Sequence, residues 1–558
     1  MNMRRAIAAL RAAVLLPVAA VATGCARELP PLPLRPEPIP WADTLPIPEP
    51  GEQSENRFAR AALLHAPYDM AAPFAGSDGE ALNLTHHDDV VPSAWWEPRM
   101  GYRPISPREL AVGPAAPESA PDPSRLVVLE AKTAGVTPGF TAEDAKGDTY
   151  IVKFDPPEFF HIQSAASIIV SKLMWGAGYH VPEDYLMVVD SAAIEVAEDA
   201  ELETASGQER PMSMDDVREL LGRTRTLPDG RFLAVASKFV PGIPKGPFYF
   251  VGTRDDDPND HYRHEHRREV RALRVVSAWV HNTDLREGNT MDVYVEPGYL
   301  RHYVIDFGAA LGSGSTRTKH PKDGAERPAD LWRLLARLAS LGAYQAEWED
   351  DHWTLPHPSI GYIRAESFDP GGWKATWTNP AWTNLTAADG YWMAKILSAF
   401  TDEHIRAAVE EGGLPSAALD DTLSAILRVR RDLTVAHWFG EVSTVEAPRV
   451  TEVGPASLRV SFRDLGLEQA LWRPEETRYT WKLRSGERVL GEGWGQARGG
   501  GDQILEVGWS GDTPGAGALM TLELRTLRPG TSPPPARVYL GNVDGRLRVV
   551  GLAHGEEG

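Results

Sequence analysis

The sequence predicts an α+β protein in which a strand-rich first part leads into a helix-rich part and then into a C-terminal all-β domain. Three observations carry this. Short apolar runs punctuated by glycine dominate from Arg125 to about Val240. Period-3.6 patterns with cap residues dominate from Arg267 to about Trp438. Alternating strands with glycine turns follow Val445. The chain has 558 residues, 42% of them hydrophobic, enough for sizeable cores, which excludes global disorder. A net charge of −21 lacks the basic footprint of a nucleic-acid binder. The single cysteine excludes an intramolecular disulfide, an iron–sulfur cluster and a multi-cysteine zinc site.

At the N-terminus, Arg4, Arg5 and Arg11 flank the apolar run Ala12–Ala22. That run is shorter than the ~20 residues a membrane-spanning helix needs. It ends in Ala22-Thr23-Gly24-Cys25, which resembles the lipobox of bacterial lipoproteins. The resemblance implies that residues 1–24 are a signal peptide and that Cys25 carries a lipid. The protein would then be exported to the cell envelope and anchored to membrane through that lipid. Ala26, where Asp would favour the inner membrane, points outward in a cell with two membranes. The alternative is an ordinary secretory signal with a buried or free thiol. Residues 25–50 read as a linker, because nine prolines between Pro30 and Pro50 favour an extended polyproline spacer.

Residues 51–124 read as a strap that packs onto the next domain, with Trp95-Trp96 as its aromatic centre. Leu126–Leu129 and Tyr150–Phe154 are strand candidates, separated by a glycine-containing loop over Thr133–Phe140. A helix over Ile162–Ala177 carries Ala165, Ile168, Ile169 and Leu173 on one face and stops at Gly178. Phe232–Val240 is a strand, and Arg267–Asn282 an amphipathic helix. Met291–Val295 and Leu300–Ile305 form a hairpin around Glu296-Pro297-Gly298-Tyr299. Helices follow over 328–348, from Thr386 with Asp389 as a capping box, from Thr401 to Gly412-Gly413, and over 416–438. Residues 445–558 read as a β-sandwich, with Asp544-Gly545 its strongest hairpin turn.

Three pieces now line up: Lys153 on a strand after a glycine-containing loop, Asp284-Leu285-Arg286-Glu287-Gly288-Asn289 after a helix, and Asp306-Phe307-Gly308 after a hairpin. In this order they resemble the active site of the protein-kinase-like superfamily, in its atypical HipA-like and phosphoinositide-kinase-like branches. Residues 80–440 are similar to an uncharacterised family of bacterial exported kinase-like proteins. The resemblance implies a two-lobed fold over 125–444, with a β-rich N-lobe and a helical C-lobe. It implies ATP and magnesium or manganese as cofactors, and a protein, lipid or glycan hydroxyl in the envelope as phosphate acceptor. Phosphoryl transfer is mostly positioning and charge neutralisation, so it needs few residues. Lys153, with Gly135 and Gly139 beside it, would bind the nucleotide. Asp284 would orient the acceptor, and Asn289 and Asp306 would hold the metal.

The helix from His161 to Ala177 contains no acidic residue, where active protein kinases carry a Glu that holds the strand lysine. Gln163, Glu130 or Glu183 would have to replace it. This motivates a second reading, a pseudokinase scaffold. A third, an envelope glycan binder, rests on the 17 tryptophans, including Trp373, Trp377, Trp382, Trp392 and Trp438, most of them expected in the core. His86-His87-Asp88-Asp89 and the loop Asp255–His266 read as exposed polar segments, with a metal site as the alternative to each. Arg430, Arg431 and Asp432 read as a structural ion pair, with an anion clamp as the alternative.

Overall fold

The computed structural model describes residues 36–54, 79–132, 137–204, 208–327, 331–341, 344–350, 355–454, 456–510, 519–543 and 545–555. Cys25, Gly135 and the whole signal segment lie outside them. Residues Glu37–Gly558 form one compact unit. Residues 37–54 run along it: Ile47 is buried, its N–H donates to the Gly298 carbonyl, and Glu49 pairs with Lys245 at 2.6 Å. Residues 37–50, expected in the linker, therefore pack on the body. The cause is apolar and charged side chains between the prolines that find partners on the body.

The first sheet has seven strands: β1 (Leu126–Lys132), β2 (Gly139–Glu143), β3 (Thr149–Phe154), β4 (Asp184–Val189), β5 (Ile194–Glu203), β6 (Glu209–Pro211) and β7 (Phe232–Lys238). Their order is β4-β7-β3-β2-β1-β5-β6, antiparallel throughout except for β1 with β5. Gly139 and Phe140, expected in a loop, begin β2. Gly139 lies opposite Lys153, and a Cβ there would stand 2.5 Å from the Val152 carbonyl oxygen. Glycine is used here for close strand approach rather than for a loop. Short helix α1 (Pro107–Val112) precedes the sheet.

Helix α2 (Ile162–Gly176) packs beneath β3, β4 and β7. It is buried nearly all round, Ser164, Ser167, Ser171 and Lys172 included, rather than on one face. Asp155 caps it. Its carboxylate accepts from the Gln163 and Ser164 N–H groups at 2.9 and 3.0 Å and from the Ser164 hydroxyl at 2.5 Å. The end of β3 is thereby fixed to the start of α2. Helix α3 (Met214–Leu221) covers the far side of the sheet's core.

The helical part contains α4 (Arg268–Trp279), α5 (Leu331–Ala339), α6 (Ala387–Ser398), α7 (Asp402–Glu410) and α8 (Ala417–Gly440). A three-stranded sheet is set into it, with β8 (Ile243–Pro244) beside the hairpin of β9 (Thr290–Val295) and β10 (Tyr299–Val304). The helix expected over 328–348 is shorter, because Leu341 takes a left-handed φ of 54° that ends α5. After Val445, strands β11 (Val445–Gly454), β12 (Ser457–Asp464) and β15 (Asp502–Gly508) form one sheet. A five-stranded sheet, ordered β14-β13-β16-β17-β18, holds β13 (Arg478–Ser485), β14 (Arg488–Gln496), β16 (Leu519–Leu527), β17 (Ala536–Val543) and β18 (Arg546–Ala553). Val460, Phe462, Trp481, Leu505, Leu522 and Val538 from both sheets share one core. Among the described residues, no helix is long and apolar enough to cross a membrane.

A buried charge network joins these parts. Arg268 on α4 pairs with Asp88 at 2.7 Å and with Asp389 on α6 at 3.0 Å, and Arg271 reaches Asp389 at 3.2 Å. The His554 ring bonds Asp88 at 2.7 Å and the Val445 carbonyl at 2.9 Å. Asp88, expected on an exposed turn, is therefore interior. Burial pushes its carboxyl up, but Arg268 and His554 overcome this and hold it far below the usual range. The Asp255–His266 loop also departs from expectation. Asp260 is buried and bonds His264 at 2.6 Å and Arg267 at 3.0 Å. Asp88 gives no local sign of this because its partners lie far along the chain, whereas Asp260 finds His264 within its own loop and Arg267 just before α4.

Removing one partner of such a network leaves unpaired charge in the interior. Arg268→Ala is expected to cost ~3–5 kcal/mol in urea unfolding; a loss under ~1 kcal/mol, typical of a surface pair, would contradict the network's role.

Candidate functional site

Helix α4 ends just before Asp284, and its end is held by a cation. Arg430 on α8 is buried and donates to the Ala278, Trp279 and Arg364 carbonyls at 2.6, 2.8 and 2.6 Å. It meets the unsatisfied carbonyls and negative end of the helix. This replaces the anion-clamp alternative for Arg430: the guanidinium is used up on backbone. Arg431 donates to the Phe400 carbonyl and pairs with Asp402 at 2.9 Å. Beyond α4, His281 takes a left-handed φ of 54° and turns the chain into Asn282-Thr283-Asp284. Lys319 is buried and donates to the Thr283 hydroxyl at 2.8 Å and the Ala309 carbonyl at 2.6 Å. It thus ties the segment before Asp284 to the segment after Gly308.

A one-turn helix over Glu287–Asn289 brings Asn289 back to Asp284. The Asn289 amide donates to the Asp284 carbonyl at 2.8 Å and to the Asp284 carboxylate at 3.3 Å. The β9–β10 hairpin then does the rest. Val304 pairs with Thr290, and one rung further the Ile305 N–H donates to the Asn289 carbonyl at 3.0 Å. Hairpin register alone therefore sets Asp306 beside the Asn289 turn. Asp306 has a left-handed φ of 59° and faces solvent at the sheet. Its carboxylate pairs with the Lys153 ammonium at 3.0 Å. Partial desolvation raises the Asp306 carboxyl, but Lys153 and the Gly308 N–H overcome this and hold it below its ordinary value.

Lys153 thus contacts Asp306, Asn289 contacts Asp284, and the Ile305 N–H joins the two pairs through the Asn289 carbonyl. Gly139 is next to Lys153 across the β2–β3 ladder. Gly308 packs on α2, where a Cβ would stand 2.6 Å from Gln163 Cγ and 3.5 Å from the Ser167 hydroxyl. Of the residues considered as replacements for a helix acid, none is spent on Lys153. The Gln163 side-chain nitrogen is buried without a partner, Glu130 accepts from Thr141, and Glu183 accepts from Tyr185.

Sequence reasoning missed four residues here. Trp377 is half exposed and donates its indole N–H to Asp284 at 3.0 Å. Trp373, Trp382, Trp392 and Trp438 are buried. Arg286 approaches Asp284 at 3.9 Å, and its position two residues beyond Asp284 was the available signal. Lys319 and Asp184 carried no local signal. Asp184, at the start of β4, is only 6% exposed, and its Oδ1 has no hydrogen-bond partner. Burial pushes its carboxyl up to about 7; Ser237, Lys153 and Lys172 pull it down and Asp306 pushes it further up. Among the described residues no group of three or more His, Cys, Asp or Glu is placed to hold a metal, so a cation here would rely on Asn289 with Asp306.

No protein-family model and no curated protein matches this chain. The functional reading therefore rests on these side chains.

A carboxyl whose folded value lies above its unfolded value opposes folding once it must ionise. For Asp184 the penalty is absent below about 3.8, grows as pH rises toward about 7 and is complete above that. Asp184→Asn is expected to raise the melting temperature at pH 8, with the gain vanishing near pH 4. The corresponding free energy is on the order of a few kcal/mol. A pH-independent effect would contradict the buried, raised carboxyl.

Proposed function

We propose that the chain is a cell-envelope lipoprotein with an atypical kinase-like domain that transfers phosphate from ATP to a hydroxyl of a protein, lipid or glycan. In this reading the seven-stranded sheet with α2 is the nucleotide-side lobe and the helical part is the acceptor-side lobe. One observation carries it: the Lys153–Asp306 ion pair stands one hairpin rung from Asn289, which in turn is bonded to Asp284. Lys153 and three residues more than 130 positions further on converge with the charges that phosphoryl transfer uses.

The donor set suits a hard divalent cation. Asp306 supplies carboxylate oxygens. Asn289 spends its amide N–H on Asp284, which leaves its amide oxygen as the donor atom. Magnesium or manganese held by Asp306 and Asn289 would supply neutralisation of phosphate charge. Lys153 would bind phosphate oxygens from the strand side. Asp284 keeps its carboxylate oriented by the Trp377 indole and the Asn289 amide. It is partly exposed, so an acceptor hydroxyl can reach it and pass its proton to a carboxylate oxygen. Export, the lipid at Cys25 and the envelope location belong to the same proposal and are supported by the lipobox-like segment.

Titration calorimetry with Mg-ATP and with Mn-ATP tests this directly. The expected result is micromolar, metal-dependent binding that Asp306→Ala abolishes. Asp284→Ala is expected to keep binding and lose phosphate transfer. Binding retained by Asp306→Ala would sink the metal assignment. No binding by the unmutated chain would move the weight to the scaffold reading.

A further inference from the structure

Asp306 faces two competing demands, because a divalent cation on its carboxylate cancels the charge that holds Lys153. It neutralises Lys153 at 3.0 Å, and under the phosphotransfer reading, on which this inference rests, it also holds the cation. When the cation takes Asp306, Lys153 needs another anion to keep its ammonium aimed at the phosphates. Helix α2 offers none, since the side chains it turns to Gly308 are Gln163 and Ser167.

The sheet supplies one. Lys153 pairs with Val235 of β7, and Asp184 pairs with Ser237 of the same strand. Val235 and Ser237 are two residues apart, so their side chains point to the same face. Pairing across the ladder puts Lys153 and Asp184 on that face too, with β7 between them. Asp184 is buried, interacts electrostatically with both Lys153 and Asp306, and has an oxygen without a partner. Among the described residues, the other groups acting on it are the Ser237 hydroxyl and Lys172, which donates to the Val112 carbonyl at 3.1 Å and lies 4.0 Å from Glu411. A buried acid with an unpaired oxygen is costly to keep and calls for an explanation.

We propose that Asp184 is the positioning residue for Lys153, the carboxylate that holds its ammonium once Asp306 is engaged by the metal–nucleotide complex. It acts through Lys153 and touches no substrate.

The test compares affinities for Mg-ATP and for adenosine, each read by displacement of a fluorescent ATP analogue from the full-length protein. The proteins are the unmutated chain, Asp184→Asn, Asp184→Glu, Lys153→Ala and the Asp184→Asn/Lys153→Ala pair. Asp184→Asn should weaken Mg-ATP about tenfold, an order typical of losing one oriented charge, and leave adenosine affinity unchanged. It should add no loss on the Lys153→Ala background, and Asp184→Glu should restore part of the affinity. Thermal unfolding should show the Asn variant no less stable than the parent. Equal weakening of ATP and adenosine, full additivity with Lys153→Ala, or an Asn variant that binds ATP like the parent would each overturn the proposal. If the unmutated chain binds no Mg-ATP, the phosphotransfer reading falls first and takes this one with it; that failure is visible before any substitution is made.

Discussion

The buried Arg268 guanidinium is the interaction on which the rest of the structure depends. It sits on the helix that leads to Asp284 and takes Asp88 on one side and Asp389 on the other. Two carboxylates and two arginines leave water together here, and none could be buried singly at tolerable cost. Because His554 closes on the same Asp88, the C-terminal sheets are bound to the helix that presents the site. Asp389 has a second duty as the reciprocal cap of α6, accepting from the Thr386 N–H at 3.1 Å. One network thus sets the strap, two helices and the last strand relative to each other.

The site inherits its rigidity from this frame. Helix α4 is fixed at its first turn by Arg268 and Arg271 and at its last turn by Arg430. The residues after it have little freedom, since Lys319 and the Asn289 amide tie down the two sides of Asp284. On the opposite wall, Asp155 locks the end of β3 to α2, so Lys153 projects from a fixed strand. The Lys153–Asp306 ion pair joins that strand to the segment after the hairpin, while α2 itself shares a core with the helical part.

What the sequence revealed follows from how local each signal is. The hairpin of Met291 to Ile305 was legible because its turn and both strands lie within fifteen residues, and its register is what juxtaposes Asn289 and Asp306. The capping box of Thr386 and Asp389 was legible for the same reason. Strands β4 to β6 were not. Asp184 opens β4, and β5 carries Glu195, Glu198, Asp199, Glu201 and Glu203 on an edge-side strand where one face is wet, so its apolar pattern is thin. Asp88 looked like a surface acid because its arginine is 180 residues away and its histidine 466. Asp184 gave no sequence signal at all: only the pairing of β4 with β7 sets it on the same sheet face as Lys153. Whether an acid is buried is a question of long-range register, which local pattern cannot answer.

The bond between Asp88 and His554 has a consequence for how the molecule is made. Asp88 emerges early in synthesis and waits for a partner 466 residues later. Without it the carboxylate keeps Arg268 but loses the imidazole, and the Val445 carbonyl of β11 loses its ring partner. The interior therefore cannot close around a chain cut short before the last strand. What lies next to the first strap in space is thus settled by the last strand in sequence, so the two ends of this interior are made or lost together.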